Sequence, residues 1–155
     1  MTGADRPTAA RDQAVAAVEG PGAVELAGIW ATVDLERTLA GLGLSPKASE
    51  VEEDAILGAR VVLIPQPDGS RLAVAEPNTE GRLAATLARR GEGHVGRYDA
   101  VGDDLAKARL RAVDAGVALG RVEDGPFGPS VLVLLGSVSD PLLILCNPAA
   151  VPSRP

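Results

Sequence analysis

Residues 89–105 read RRGEGHVGRYDAVGDDL, and the other predicted elements can be placed around them. Two arginines before Gly91 are typical of a helix C-terminus, since basic side chains offset the carbonyl end and glycine adopts the left-handed closing conformation. Asp103 or Asp104 before an apolar residue is typical of a helix N-cap. The segment therefore predicts a helix end, a glycine-rich turn, a strand and a new helix. It also contains the only histidine, His94.

The elements before and after this segment repeat one another. Before it, a strand at 24–33, a helix capped by Asp34 and apolar runs at 60–65 and 71–76 around an Asp-Gly turn are predicted. After it come a helix marked by Ala106, Leu110 and Val113, then strand-like segments at 117–123, 131–135 and 142–146. Residues 27–35 align with 96–105, and 73–77 with 144–148.

The repeat predicts an α+β fold in which two βαβββ modules form a curved mixed sheet around a cleft. The modules span about 23–77 and 94–148, a helix at 79–90 links them, and together they make one domain over 23–148. Residues 1–22 are expected to be a flexible arm, because their alanines favour helix but no large apolar anchor is present. Residues 149–155 are expected to be a tail.

Composition excludes several classes of function. The net charge of −6 and the 2% aromatic content disfavour nucleic-acid binding. One cysteine, Cys146, cannot form an intramolecular disulfide and is typical of a reducing compartment. No apolar run has transmembrane length and the start of the chain has no signal-peptide core, so we expect a cytoplasmic protein that does not bind membranes.

Several motifs recur in a characteristic order between residues 24 and 148. They are Val33-Asp34-Leu35-Glu36, residues 61–65, Ala75-Glu76-Pro77, Arg90-Gly91-Glu92-Gly93, Asp103-Asp104-Leu105 and Asn147-Pro148. Their order and spacing resemble the vicinal oxygen chelate superfamily, the glyoxalase and bleomycin-resistance fold. The resemblance is greatest to the methylmalonyl-CoA epimerases.

The resemblance implies a divalent metal held by four side chains, one from the first and one from the last strand of each module. Those positions here are Ala27, Ala73, Gly96 and Ile144, and none offers a ligand atom. Some epimerases of this superfamily have a carboxylate that acts as a base early on the third strand. The corresponding residue here is Val61. His94 would share a strand face with Gly96, but one histidine makes a poor metal site. We expect no metal and no cofactor.

Strand alternation extends the cleft face beyond these four positions. It adds Ile29, Ala31, Arg71, Ala75, Tyr98, Leu142 and Cys146. Such an apolar face suits a bulky apolar ligand. Alternatively, the cleft is filled as additional core and Arg71 is a solvated edge residue; both interpretations are open at this point. The predicted ligand-binding residues are Ala27, Ile29, Ala31, Ala73, Ala75, Gly96, Tyr98, Leu142, Ile144 and Cys146.

Tyr98 and Arg71 are the candidate catalytic residues. Tyr98 could donate a proton to a carbonyl or enolate, or simply pack with its hydroxyl at the surface. Cys146 is expected to be a buried structural thiol.

Two charged groups have alternative interpretations. The acidic run Glu50, Glu52 and Glu53 offers a base at the cleft rim or a solvated strand, and Arg82, Arg89 and Arg90 offer contacts to coenzyme A phosphates or a stabilised helix end.

We therefore expect a metal-independent protein of this fold that binds an apolar small molecule or an acyl thioester. An isomerase, epimerase or cyclase of specialised metabolism is the first hypothesis. The alternative is a binding or sequestration protein, as in the bleomycin-resistance branch. The third hypothesis, an active metal-dependent methylmalonyl-CoA epimerase, is opposed by the four replaced ligands. The resemblance also implies a homodimer.

Overall fold

The structure is a computed structural model that describes residues 5–136 and 140–147. These residues form four α-helices, one short 3-10 helix at Ala48–Glu50 and nine β-strands. The helices are α1 (Asp5–Glu19), α2 (Leu35–Gly41), α3 (Arg82–Arg90) and α4 (Leu105–Ala115). The strands are β1 (Val24–Ala31), β2 (Val51–Asp54), β3 (Ala59–Pro65), β4 (Arg71–Pro77), β5 (Gly93–Ala100), β6 (Ala118–Leu119), β7 (Glu123–Gly125), β8 (Gly128–Leu134) and β9 (Leu142–Cys146). The predicted tail at 149–155 lies outside the described residues.

All nine strands belong to one mixed sheet. Its order is β2-β3-β4-β1-β5-β9-β8-β6, with β7 also paired to β8. β1 and β5 are antiparallel neighbours at its middle, and each is parallel to the last strand of its own module, β4 or β9. The two predicted βαβββ modules are thereby confirmed. In the second module the strand expected at 117–123 is instead divided into β6 and β7, which both pair with β8.

The strand register reproduces the predicted repeat. Ile29 lies opposite Ala73 in the first module, and Tyr98 lies opposite Ile144 in the second. Across the central pair, Ile29 lies opposite Gly96 and Ala27 opposite Tyr98. The positions aligned from sequence are therefore related by an approximate twofold axis between β1 and β5.

The helix boundaries follow local side-chain chemistry. Asp34 and Asp104 cap α2 and α4 by accepting hydrogen bonds from the backbone N–H groups of Arg37 (3.0 Å) and Lys107 (2.8 Å). Gly91 ends α3 with the positive φ expected of this glycine, +76°, but its ψ of −174° differs from the predicted left-handed conformation. α3 begins at Arg82 rather than at residue 79, because the Asn78 amide donates to Glu53 and the Thr79 backbone N–H donates to the Gly58 carbonyl.

The buried face of α4 differs from the predicted one. Ala106, Leu110 and Val113 were expected to face the core, but the buried residues are Leu105, Ala108 and Ala112. Leu110 and Val113 are 68% and 74% exposed. The two alanines on the buried face have short side chains that allow α1 to pack closely, which a search for large apolar residues does not detect.

The N-terminal residues are a second correction. The flexible arm expected at 1–22 contains α1, whose Val15 and Val18 are buried against the second module. Arg111 of α4 donates to the backbone carbonyls of Val18 (2.9 Å) and Glu19 (3.1 Å) at the C-terminus of α1. A cation at the carbonyl end of a helix is stabilising, so α4 supplies the anchor that the arm itself lacks.

The GEG turn connects the two modules. Glu92 accepts hydrogen bonds from the Thr32 hydroxyl (2.8 Å), the Val33 backbone N–H (2.8 Å) and the Arg37 guanidinium (2.7 Å). These donors lie at or just after the β1–α2 junction, so the residue that precedes β5 ties this junction to the second module. They lower the pKa of Glu92 below its usual value.

The sheet separates three apolar clusters. One fills the concave side, and the other two lie on the outer face, under α2 and under α1 and α4. Among the described residues, no helix is both long and apolar enough to cross a membrane.

Candidate functional site

The concave face of the sheet unites most of the residues predicted to bind a ligand. Each is at most 1% exposed: Ala27, Ile29, Ala31, Ala73, Ala75, Tyr98, Ile144 and Cys146. They belong to one cluster, and Leu142 packs against it. Strand alternation therefore identified a real common face.

The middle of this face is covered by side chains from other elements. Leu83 and Leu87 of α3 and Leu57 of the β2–β3 turn belong to the same cluster, and Phe127 of the β7–β8 turn packs against it. Ligand access to the eight buried residues would require these groups to move. Two interpretations of the cleft were open, a ligand-binding cavity or additional core. The middle of the cleft is filled as additional core.

In the vicinal oxygen chelate superfamily, which the sequence resembles, four positions hold the metal. The residues at the corresponding positions of this chain do not suit a metal. Ala27, Ala73 and Ile144 have aliphatic side chains, and Gly96 has none. A Cβ built on Gly96 would lie 1.9 Å from the Leu142 carbonyl oxygen, so this backbone admits no side chain there. These four residues therefore do not fit a divalent ion.

Another acidic group lies outside the cleft. Among the described residues, Asp34, Glu36 and Glu76 bring carboxylate oxygens within 4.8 Å of one another. Arg60 donates to both Glu36 (2.7 Å) and Glu76 (3.1 Å), so its guanidinium neutralises much of their charge. Glu76 also accepts the Leu35 backbone N–H (2.7 Å), which makes this cluster an anchor for the start of α2.

The Tyr98 hydroxyl is hydrogen-bonded to a buried carboxylate, that of Asp54. The hydroxyl donates to Asp54 Oδ2 (2.5 Å), and Asp54 Oδ1 accepts the backbone N–H groups of Ile56 (2.8 Å) and Leu57 (3.0 Å). Burial raises the pKa of Asp54, and burial followed by the Asp54 charge raises the pKa of Tyr98 well above its usual value. Asp54 directly follows the exposed Glu52 and Glu53 in the sequence, but it is itself 2% exposed.

Phe127 lies between the two candidate catalytic residues. Its ring centroid is 5.2 Å from that of Tyr98 and 5.9 Å from the guanidinium carbon of Arg71. Arg71 is exposed, whereas Tyr98 is fully buried. The structure therefore places the two groups on the same side of the sheet but separates them by an aromatic ring.

The remaining predicted groups are distributed as follows. Cys146 is buried 3.4 Å from the Ser130 hydroxyl, and burial raises its pKa to about 12, so the thiol stays protonated. Glu50, Glu52 and Glu53 are exposed. His94 was expected on the face of Gly96, but a register shift between Ile29 and Trp30 pairs it with Trp30, against which its ring packs edge-on at 5.0 Å. It therefore lies on the outer face.

A cavity remains beside the filled part of the concave face, between α3 and strands β8 and β9. Its volume is about 310 Å³. Its apolar wall includes Ala85, Leu132, Leu134 and Leu142, and Arg82, Thr86 and Arg89 are its polar groups on α3. We call it the α3 cavity. Leu142 is the predicted ligand-binding residue that lines it.

Arg82 and Arg89 are seven residues apart and therefore lie on one face of α3. Both are exposed, and within the described residues neither guanidinium has an ion pair or hydrogen bond. The cavity's carboxylate, Asp140, is instead paired with Arg11. The site thus combines apolar walls with two available cations.

The sequence did not lead us to predict a role for Asp54 or Phe127. For Arg82 and Arg89 it left two alternatives, contacts to an anionic ligand or stabilisation of the helix end. Asp54 ended an acidic run, and Phe127 stood in a Gly-Pro-rich loop. Phe127 could have been noticed because it is the only phenylalanine in the chain, whereas nothing in the sequence distinguishes Asp54. Their juxtaposition with Tyr98 depends on how the sheet curls.

No protein-family model matches the chain. No curated protein matches it significantly either. Solved structures do match. The methylmalonyl-CoA epimerase of Mycobacterium tuberculosis is 22% identical, with 80% of this chain and 87% of that chain covered and a TM-score of 0.66.

Two further matches have the same fold. A variant of the Streptomyces coelicolor methylmalonyl-CoA epimerase in complex with 2-nitronate-propionyl-CoA is 22% identical, covering 84% of this chain and 99% of that chain, with a TM-score of 0.64. A hypothetical protein from Bacillus halodurans is 18% identical, covering 81% and 94%, also at 0.64. At these identities the likeness is one of fold, and it confirms the predicted glyoxalase-like architecture.

Proposed function

We propose that this protein binds an acyl thioester, or an amphipathic anion of similar shape, in the α3 cavity without using a divalent metal. The observation that carries the proposal is the combination in one cavity of an apolar wall and two unpaired guanidinium groups. An acyl chain would lie against the leucines, and the anionic part would face Arg82 and Arg89.

The size and lining of the cavity support a small-molecule ligand. Ligand pockets commonly have volumes of roughly 300–1,000 Å³, apolar walls and a few polar groups that fix orientation. The α3 cavity, at about 310 Å³, is at the lower end of that range. It would therefore hold the acyl part of the ligand, while the bulk of a coenzyme would lie outside.

The charge distribution supports an anionic group on that ligand. The whole chain has a net charge of −6, so two unpaired cations on one helix face are a local exception. Guanidinium groups bind phosphates and carboxylates by paired hydrogen bonds. The S. coelicolor structure was solved with an acyl-CoA analogue, which has both an acyl group and phosphates.

The absence of ligand atoms at Ala27, Ala73, Gly96 and Ile144 supports the metal-independent part of the proposal. Divalent ions are held by several preorganised oxygen, nitrogen or sulfur donors. In this proposal the ligand is held by the apolar wall and the two arginines alone.

The burial and hydrogen bonding of Tyr98 support binding without catalysis. An isomerase, epimerase or cyclase would need a general acid or base within hydrogen-bonding reach of the substrate. The Tyr98 hydroxyl already donates to Asp54, and both side chains are at most 2% exposed. A metal-free enzyme is the second candidate, and it would require Phe127 to move so that substrate reaches this pair.

Calorimetric titration of the purified protein with short-chain acyl-CoA thioesters tests the proposal. We expect Arg82→Ala and Arg89→Ala each to weaken binding about tenfold, since a charge-assisted hydrogen bond contributes about 1.5–3 kcal/mol. Arg90→Ala is the matched control, because Arg90 is exposed on the same helix but lines a different groove.

Addition of a chelator should leave the affinity unchanged. No binding of any thioester, equal losses in all three variants, or loss of binding with the chelator would contradict the proposal. Turnover of a bound thioester, abolished by Tyr98→Phe, would favour the enzyme instead.

A further inference from the structure

Thr86 of α3 is a buried polar residue without a hydrogen-bonding partner in the described part of the chain. It is 6% exposed, and its hydroxyl neither donates to nor accepts from any described residue. A threonine in a helix commonly donates to the carbonyl three or four residues earlier, here Leu83 or Arg82, but neither bond is present. The other buried polar side chains of the described residues each form at least one hydrogen bond; they are Thr32, Asp54, Asp99 and Ser130. Because an unpaired buried hydroxyl is unfavourable, the fold alone gives this group no stabilising role.

The Thr86 hydroxyl opens on to the α3 cavity. Thr86 is one of the residues that line this cavity. Among the described residues, the fully enclosed side-chain oxygens without a partner are Asp99 Oδ1 and Asn147 Oδ1, so the Thr86 oxygen keeps some accessible surface. The residue is otherwise buried on the sheet side of α3, so this surface faces the cavity.

Thr86 lies between the two cations of the site. Arg82, Thr86 and Arg89 are four and three residues apart, so their side chains lie along one face of α3. The arginines are exposed at the mouth of the cavity, whereas Thr86 is buried beside its apolar wall. A chain whose anionic part is bound by the arginines would therefore meet the hydroxyl within the part that lies against the leucines.

We propose that Thr86 makes the α3 cavity selective for ligands whose apolar chain carries an oxygen acceptor, such as a hydroxyl or oxo group. The inference rests on the function proposed above and narrows its ligand from acyl thioesters in general to oxygenated ones. A chain oxygen can accept the Thr86 hydrogen bond. An unsubstituted chain would instead displace water from the hydroxyl and leave it unpaired, and a site with such a group discriminates strongly against analogues that lack the partner.

The thioester carbonyl is a less suitable acceptor for this hydroxyl. It adjoins the sulfur, and the coenzyme attached to that sulfur is too large for a cavity of about 310 Å³. The carbonyl would therefore lie near the mouth, and the rest of the acyl chain would extend inward to the buried hydroxyl. Selection then depends on the chain rather than on the group that all acyl thioesters share.

Calorimetric titration with matched thioesters tests the selection. Butanoyl-CoA is compared with 3-hydroxybutanoyl-CoA and 4-hydroxybutanoyl-CoA, which differ from it by one oxygen. We expect the wild type to bind at least one hydroxylated thioester about fivefold more tightly, the usual contribution of a neutral hydrogen bond. Thr86→Val should abolish this preference, and Thr86→Ser should retain it. Arg82→Ala is the matched control, since it should weaken the binding of all three thioesters by the same factor.

Urea denaturation separates this role of Thr86 from a structural one. Thr86→Val should be at least as stable as the wild type, because the hydroxyl that it removes has no partner in the described part of the fold. A clear loss of stability would show that the hydroxyl bonds within the protein, and would overturn the inference. The inference also fails, with the proposed function left in place, if the wild type binds the hydroxylated thioesters no more tightly than butanoyl-CoA, or if Thr86→Val weakens all three equally. Binding of none of them would contradict both proposals.

Discussion

The hydroxyl of Tyr98 on β5 donates a 2.5 Å hydrogen bond to Asp54 at the end of β2. β2 is the edge strand of the first module, and β5 is the strand of the second module that lies at the middle of the sheet. The bond therefore crosses the concave side of the curled sheet. Because both groups are almost fully buried, water cannot replace either partner.

Loss of this bond should destabilise the protein measurably. In Tyr98→Phe, Asp54 Oδ2 keeps its burial but loses its donor, and we expect the free energy of unfolding to fall by about 1–3 kcal/mol. Urea denaturation measures the change. Combined with Asp54→Ala, the effects should be less than additive by at least about 0.5 kcal/mol. Full additivity would mean that the two side chains are energetically independent.

The junction of α1 with β5 should make stability depend on pH near neutrality. Burial, and then the neighbouring Asp99 carboxylate, raise the pKa of Glu19 from 4.5 to about 7, while Arg97 lowers it. The folded state thus binds this proton more tightly than the unfolded chain does. Its stabilising contribution is fully present below about pH 4.5 and is lost as the pH rises through about 7.

Urea midpoints across this interval should decline with rising pH in the wild type. In Glu19→Gln the decline should become smaller, since the amide does not titrate and the remaining decline comes from Asp54, whose pKa is also raised by burial. The opposite slope is expected only at lower pH, where Glu92 and Asp103, whose pKa values are lowered by their partners, become protonated. An unchanged decline in Glu19→Gln would assign the pH dependence to another group.

Gly96 is required by the packing of β5 against β9. A Cβ there would lie 1.9 Å from the Leu142 carbonyl oxygen and 2.7 Å from its carbon. Gly96→Ala should therefore separate the strands and cost about 1–3 kcal/mol, the usual range for forced overpacking. Gly41→Ala is the control. The space around Gly41 in α2 is open, so alanine should be neutral or stabilise by about 0.5–1 kcal/mol. Equal thermal stability of the two variants would contradict this account of β5.

Phe127 should control access to the filled part of the concave face. Phe127→Ala removes the ring between Tyr98 and Arg71 and should increase binding of an apolar fluorescent dye, at a cost of about 1–3 kcal/mol because the ring is only half buried. Val122→Ala, at a 52% exposed position nearby in sequence, should change neither property. Unchanged dye binding in Phe127→Ala would mean that Leu83, Leu87 and Leu57 close this face without help.

Features set by neighbouring residues were predictable from sequence. Asp34 and Asp104 cap helices through backbone N–H groups three residues ahead, and Gly91 and Gly116 end helices by adopting positive φ. The duplicated strand–helix order was sufficient to predict the sheet and the correspondence between Ala73 and Ile144.

Features set by distant packing were not predictable. The pattern of α4 shows two apolar faces, and only the position of α1 determines that Ala108 rather than Leu110 is buried. His94 changes face because of one register shift in β5. Asp54 could not be distinguished from its acidic neighbours, since its burial depends on Tyr98 in the other module.

Glu92 connects the first and second modules, because it caps the β1–α2 junction from the beginning of β5. At that junction the Val33 N–H of the first half donates to a side chain that follows α3, and β1 of the first half pairs along its length with β5 of the second. The duplicated halves are therefore not independent folding units, and we expect the chain to unfold in a single cooperative transition. A fragment ending after β4 would lack Glu92 and would leave β1 without β5, its antiparallel neighbour, so separate expression of the two halves should yield chains that fold only when mixed.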